Sequence, residues 1–595
     1  MKSVVGIPQA AAWVALLVGL GEAAFFGVAS LVLHRYTHQN PQFIWMSAIS
    51  MAALFVIPAM ILIFLMRNRT EEARIQAAIT VFGFLGAFAL LLAFPKLHIM
   101  ASVALALGIA VQAGRSARAH AAVFSRLVRV TVWPMVGVVC VLAISLNATR
   151  AIAERREHAS LPAAQPDAPN VILLILDTVR ASRLSLYGNT RATTPRIDSI
   201  AGHGVHFTQA LSPAPWTLPS HASMFTGRLP HEMSASWRTP FGADHPTLAE
   251  VLRARGYATG GFVANYFYVS RESGLHRGFT HYEDFATTPA AILSASGLAR
   301  RLVAWTWLRE RTGYLRNPGA KDAPRANRDL LRWLSKRGDR PFFAFVNYFD
   351  AHAAYDPPAP FDTRFRSTEL PRNPFLLNEK PISTQNAQPE LDAYDGALAF
   401  LDAQIGDLID SLDARGKLRN TLLILTSDHG EEFGEHGLLD HGKSLYMPVL
   451  HVPLVIVFPG RVPAGNAIRV PVSTRDVPAT VLQLLGEKSR QSLPGRSLAR
   501  YWTAGEEAFP EERITSQVRH NPGREPWLPT SAGDMASLLN ARHHFIRNGD
   551  GRAELYDVIA DPLEQRNLAG DAAWREYVAR YGASLDSLVP TRSGR

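Results

Sequence analysis

Asn170-Val-Ile-Leu-Leu-Ile-Leu-Asp177-Thr-Val-Arg180 is an apolar run of strand length that ends in an acid. A buried parallel strand reads this way, and its terminal acid falls at the carboxyl edge of the sheet, where open α/β folds keep their ligands. Thr421-Leu-Leu-Ile-Leu-Thr-Ser-Asp428-His429-Gly430 repeats the pattern with two polar residues at its tip. Pro341-Phe-Phe-Ala-Phe-Val-Asn-Tyr-Phe-Asp350-Ala-His352 repeats it again. Helical patterns lie between such strands. One covers Thr247–Gly256, ends at glycine and leads into the short strand Tyr257–Val263; a longer one covers about Ala387–Arg415. This alternation predicts an α/β fold, a sheet with helices on both faces. Past about Gly495 the periodicity breaks up, which predicts a smaller C-terminal subdomain over 496–595 behind a main domain at 170–495.

The front of the chain is of another kind. Hydrophobic residues make up 47% of the sequence, and the excess sits before Arg150. Five apolar runs occur there, roughly Ala10–Leu33, Phe43–Met66, Ile75–Phe94, His98–Ala113 and Val130–Leu146. Most approach the ~20 residues that cross a ~30 Å hydrocarbon core; the fourth is short and polar-tipped. A single cleavable signal peptide would not be followed by four more such runs. Residues 1–150 therefore read as a helical membrane domain of about five spans, and Ala153–Pro169, rich in Pro, Ala and charge, as part of a linker at 151–169. Arg67, Arg69 and Arg74 flank one loop and Arg115, Arg118, Arg126 and Arg129 another, while the alternate connections carry little more than Arg35 and Lys96. The positive-inside tendency puts the arginine-rich loops in the cytoplasm, and an odd number of crossings puts the rest of the chain outside the plasma or inner membrane. The net charge of +10 is partly those arginines, which meet anionic headgroups. No basic helix interleaved with aromatics, zinc-finger spacing or glycine-rich phosphate loop points to nucleic acid. A single cysteine, Cys140, excludes an intramolecular disulfide. The spans hold few charges, Glu22 being the main exception, which disfavours a transport role.

Ala214-Pro-Trp-Thr217-Leu-Pro-Ser-His221-Ala-Ser223 resembles the nucleophile motif of the sulfatase family, where a cysteine two residues before Pro-Ser-Arg is oxidised to formylglycine. Threonine holds that position here. The three strand ends resemble core strands of the alkaline phosphatase superfamily, to which sulfatases belong. The stretch Glu554-Leu-Tyr-Asp-Val-Ile-Ala-Asp561-Pro-Leu-Glu-Gln-Arg-Asn567-Leu568 resembles the end of many sulfatase domains, so the likeness spans about Asn170 to Leu568. The resemblance implies a divalent metal held by Asp177, Asp428, His429 and the hydroxyl of Thr217, with Thr217 activated as the nucleophile. Each residue alone has a plain structural reading, such as an Asp capping the next helix or a Thr turning the chain before proline; the ordered set is what carries the inference. A second Asp beside the first is usual in calcium-binding sulfatases. Here Thr178 follows Asp177 and His429 supplies nitrogen, which favours Zn²⁺ or Mn²⁺ over Ca²⁺.

Around that centre, His352 resembles the family histidine that contacts the transferred group, and His441 one found in phosphoethanolamine transferases. Lys443 could instead be the sulfatase lysine that binds ester oxygens. His221 stands where sulfatases carry the arginine of Pro-Ser-Arg, and the Thr-x-Pro-Ser-His order also resembles nucleotide pyrophosphatases/phosphodiesterases. Asp350 with His352 and His441 are the residues from which a second metal site would have to come. Arg180 reads as a structural ion-pair partner, and Glu431, Glu432 and Glu435 as a solvated edge. The layout, spans followed by an external threonine domain, resembles phosphoethanolamine transferases and lipoteichoic acid synthases. The expectation is a membrane-anchored, metal-dependent hydrolase or transferase acting on phosphate esters or diesters of envelope molecules, lipid or glycan. A sulfuric ester hydrolase is the alternative, and an inactive envelope-binding protein the third reading.

Overall fold

The computed structural model describes residues 5–31, 37, 39, 41–94, 96–237, 239–305, 321–373, 380–486, 493–509 and 512–589; Arg35 lies outside them. Two compact units emerge: Met1–Arg156 with Phe285–Ala320, and Glu157–Asp284 with Lys321–Arg595.

The first unit is built on five helices: α1 (Ile7–Leu31), α2 (Phe43–Leu65), α3 (Glu71–Leu91), α4 (Ile99–Ala119) and α5 (Ala121–Ala159). All five are long and apolar enough to cross a membrane. The fourth, which looked short in sequence, runs for 21 residues because its polar tip, through Arg118, continues the helix. Close approach of α1 and α2 depends on Gly19: a Cβ there would lie 2.2 Å from Ala48 Cα, so only a residue without one lets the backbones meet. Thr70 caps α3 by accepting from Ala73 N at 3.3 Å, with Glu71 and Glu72 in the first turn against the helix dipole. The last helix continues to Ala159, so the irregular connector is shorter than the expected linker; Ala, Glu and Arg favour helix there, and Pro162 lies just beyond. The short helices Pro289–Leu293 and Gly297–Val303, inside the stretch expected to belong to the sheet domain, pack in this unit against α2 and α3.

The second unit centres on an eight-stranded sheet. Across it run Asn466–Ile468, Val205–Phe207, Leu454–Val457, Thr421–Ser427, Asn170–Leu176, Phe342–Tyr348, Ala258–Val263 and His281–Glu283. The Asn170–Leu176 strand is parallel to both neighbours, and every residue from Val171 to Leu176 is buried. Side chains alternate between faces. Val171, Leu173 and Ile175 join one core with Leu218, Ala222 and Phe225 of the Thr217–Thr226 helix. Ile172, Leu174 and Leu176 join the other with the helices Ala323–Leu334 and Thr384–Ala414. Helices thus cover both faces, as expected, and a continuous apolar run is what such a strand requires. After the main sheet comes a four-stranded antiparallel sheet, Ile514–Val518, Met535–Leu539, His543–Arg547 and Ala553–Asp557, covered on one face by the helix Arg575–Leu588.

Candidate active site

Register brings the acids together. Leu176 pairs with Ser427 in the parallel ladder, so Asp177 and Asp428, each the next residue, emerge side by side at the carboxyl edge. Asp177 Oδ2 accepts from Asn265 Nδ2 at 2.9 Å and Asn347 Nδ2 at 3.1 Å, which orients the carboxylate. Its Oδ1 is buried with no hydrogen-bond partner among the described residues, and so is Asp428 Oδ2. Asp428 Oδ1 accepts from the N–H groups of Thr178 and His429, at 3.2 and 2.9 Å. Burial, then the charge of Asp177, pushes Asp428 well above the usual carboxylate range.

His429 donates Nδ1–H to the Gly430 carbonyl at 3.0 Å, which leaves the Nε2 lone pair free for a ligand. Burial and the neighbouring His441 hold it well below the usual histidine range, so the ring is neutral. Asp177, Asp428 and His429 each offer one ligand atom within 4.8 Å of the others, and all three are buried. Two buried carboxylate oxygens without donors would cost several kcal/mol unless a cation met them. The donor set therefore fits a divalent metal.

Thr217 enters from the other side. It opens the helix Thr217–Thr226, whose N-cap Trp216 supplies no side-chain cap, and its Oγ1 lies 3.3 Å from His429 Nε2. The first-turn N–H groups of such a helix favour an anion. His221, one turn on, is fully buried; its Nδ1–H donates to the Thr217 carbonyl at 2.9 Å and lies 3.5 Å from Asp428 Oδ2. Burial lowers its pKa. It packs beside Thr217, against Phe225 and Phe345.

A second cluster flanks the first. His441 Nδ1 donates to Glu431 Oε1 at 2.8 Å and forms an ion pair with Asp440 Oδ1 at 2.9 Å, and Tyr355 OH donates to Glu431 Oε2 at 2.9 Å. Burial would lower His441, but the two carboxylates outweigh it and hold the ring well above the usual histidine range, as an imidazolium. Its ring centroid is 4.4 Å from that of His429, 5.1 Å from His352 and 5.2 Å from Trp216. His352 is half-buried and stacks on Phe349. Lys443 Nζ donates to the Leu439 carbonyl at 2.6 Å and Asp440 Oδ2 at 2.9 Å, so it braces Asp440 in its loop. Trp216 leans on Trp237 at 4.2 Å and Tyr268 at 4.9 Å, an aromatic wall beside Thr217. Gly442 makes room for it: a Cβ there would lie 2.5 Å from Trp237 and 2.7 Å from Trp216.

Two expectations change here. Glu431, Glu432 and Glu435 form no solvated edge; all are buried. The Glu432–Phe433 and Leu439–Asp440 strands pair as a hairpin that turns these acids inward, where Glu432 accepts from Ser444 at 2.8 Å and Glu435 from Arg180 at 2.8 Å. Arg180 thereby makes the structural ion pair expected of it. Asp350, considered for a second metal, accepts instead from Ala323 N at 3.2 Å at the start of a helix; the acids beside His441 are Glu431 and Asp440. Asn265, Asn347, Tyr355 and Trp237 were not singled out in sequence. Only Asn347 carried a signal, as the amide in an otherwise apolar strand.

A family model described as Sulfatase matches residues 169–487. An ulvan-active sulfatase from Formosa agariphila is 25% identical to this chain, covering 71% of it and 82% of the relative. Arylsulfatase A from Homo sapiens is 28% identical, with 70% and 86% covered. Among solved structures, a phosphonate monoester hydrolase of Agrobacterium radiobacter superposes with a TM-score of 0.57 at 23% identity, covering 71% of this chain and 95% of its own.

Proposed function

This chain belongs to the sulfatase family, a hydrolase of the alkaline phosphatase superfamily, and we propose that it uses Thr217 as the nucleophile on phosphate esters or diesters of envelope molecules. One observation carries the reading: Thr217 Oγ1 stands 3.3 Å from His429 Nε2, beside two buried carboxylate oxygens that lack donors. Asp177, Asp428, His429 and Thr217 would hold a divalent cation, Zn²⁺ or Mn²⁺ in preference to Ca²⁺. When bound, it supplies charge that lowers the pKa of the hydroxyl and draws negative charge from the ester oxygens.

The chain's own groups do the rest. Thr217 Oγ1, having released its proton to solvent before the ester arrives, forms the bond to phosphorus as the alkoxide while the bond to the leaving oxygen breaks, and it departs again as the alkoxide in the second step. The first-turn N–H groups of its helix face the ester anion. His441, held protonated by Glu431 and Asp440, gives its Nε2 proton to the departing alkoxide. Water or an alcohol then attacks phosphorus, returns a proton to His441 and frees Thr217. His352 contacts the transferred group, whereas His221 and Lys443 act by holding Thr217 and Asp440 in place. Mass spectrometry of protein quenched during turnover of an aryl phosphate with Mn²⁺ or Zn²⁺ tests this. The expected product is a phosphoryl adduct on Thr217; steady turnover with no adduct at any quench time rejects the reading.

A sulfate ester is the second reading, favoured by the names of the curated relatives. Thr217 carries no aldehyde, so it cannot form the hydrated diol from which formylglycine expels sulfate by elimination. A threonine adduct must be cleared by attack at its central atom, the ordinary route for phosphoryl groups. Matched aryl phosphate or phosphodiester turnover should therefore exceed aryl sulfate turnover by at least about tenfold, ~1.4 kcal/mol in barrier. Equal or faster sulfate release would promote the sulfatase reading.

We propose further that the chain is a multi-pass membrane protein with this site outside the membrane it spans. Five suitable helices and the placement of Arg67, Arg69, Arg74, Arg115 and Arg118 support that orientation. A reporter fused after Arg595 should behave as extracytoplasmic; a cytoplasmic signal would mean an even number of crossings.

A further inference from the structure

In the helical unit, the α3–α4 turn and the residues from Leu298 to Trp305 enclose a cavity of about 260 Å³. Its walls are apolar, with Phe88, Leu92, Phe94, Leu298, Leu302 and Trp305 prominent; among the described residues Arg301 is the only charged one lining it. Phe94 is 51% exposed and Trp305 54%, so the apolar wall continues onto the outer surface of the unit. We propose that this cavity binds one net-anionic phospholipid, its acyl chain along the apolar wall and its phosphodiester on Arg301.

Three observations converge. Arg301 is exposed and makes no ion pair or hydrogen bond among the described residues, whereas its neighbour Arg300 lies over the rings of Phe26 and Phe43 and donates to the Ala295 carbonyl. An apolar slot ending in one uncommitted guanidinium complements an amphiphile with a negative head; free phosphate would have no use for the apolar wall. The wall is also built in advance. Buried Glu22 accepts from Gly297 N at 3.1 Å and from the Ser47 hydroxyl, while Ser50 donates to the Leu293 carbonyl at 2.7 Å and meets Ser296 Oγ at 2.9 Å. These bonds fix Leu293–Gly297 on α1 and α2, so a lipid need not order the segment that holds it. Finally, the turn lies at the opposite end of α3 and α4 from the arginine-rich loops, and tryptophan is the residue expected where a helix meets the membrane–water boundary. The proposal rests on the membrane reading of the helices and not on the chemistry of Thr217.

The test is native mass spectrometry of the full-length protein in detergent, equilibrated with dioleoylphosphatidylglycerol or dioleoylphosphatidylcholine. The wild type should retain one phosphatidylglycerol per chain, in preference to phosphatidylcholine by about fivefold, the effect of one basic residue near an anionic lipid. Arg301→Gln should abolish the preference with an unchanged melting temperature. Leu302→Trp, which fills the cavity from an exposed position, should lower retention of both lipids. Equal retention of the two lipids by the wild type, or an unchanged preference in Arg301→Gln, would overturn the proposal. Full displacement by soluble glycerol phosphate would make this a simple anion site, and a second chain in place of lipid would make it a protein interface; either outcome also rejects it.

Discussion

Thr217→Ala should lower turnover by a factor on the order of 10⁴–10⁶, the scale at which a covalent nucleophile acting within a preorganised site is felt. Alanine removes the hydroxyl proposed to attack the ester and, with it, the oxygen proposed to complete the metal shell. The fold should persist. Thr217 is the first residue of its helix, where alanine is well tolerated, and its side chain contacts the site, not the sheet core. Thr217→Ser restores a hydroxyl at the same place and should recover a large part of the rate. Circular dichroism melting on the same samples separates loss of chemistry from loss of structure. Activity within about tenfold of wild type in Thr217→Ala would remove the central claim, since water in an otherwise intact site does not replace a positioned nucleophile that cheaply.

Asp428→Ala and His429→Ala should each lose the bound metal, read by elemental analysis of the purified protein, and lower turnover by about 10³-fold or more. A bound cation contributes several kcal/mol of charge stabilisation in the transition state, and each 1.36 kcal/mol is a decade in rate. Asp428 cannot be spared, because its Oδ1 is tied to the N–H groups of Thr178 and His429, leaving Oδ2 as the oxygen available to a cation. His429 offers Nε2 because its Nδ1–H is committed to Gly430. If either variant keeps stoichiometric metal and merely slows, the ion sits elsewhere and the four-residue shell is incorrect. The flanking Glu431–Asp440–His441 cluster is the site to examine in that event, although Lys443 on Asp440 already supplies a competing positive charge.

Much of this was present in the order of residues alone. A strand buried on both faces must be apolar along its whole length, so Asn170–Leu176, Phe342–Tyr348 and Thr421–Ser427 declared themselves, and the acids at their ends could only stand at one edge of the sheet. Spans of some twenty apolar residues announce the N-terminal helices in the same way, since composition and length are local properties. The motif around Thr217 is local too. What only the tertiary structure decided are the partnerships between segments far apart in the chain. Ladder register, which no single segment contains, puts Asp177 next to Asp428 and sets Asn347 and Asn265 on the same carboxylate oxygen. The acids of Glu431–Glu435 look like a surface loop because polarity per residue cannot reveal that a hairpin folds them back onto Tyr355, His441 and Arg180. Lys443 shows the same limit: its charge is visible in sequence, but the carbonyl of Leu439 and the carboxylate of Asp440 decide where that charge is used. So does Leu293–Gly297, attached to the first two helices through Ser50 and through Glu22, a lone acid in an apolar run whose partner Gly297 lies 275 residues away.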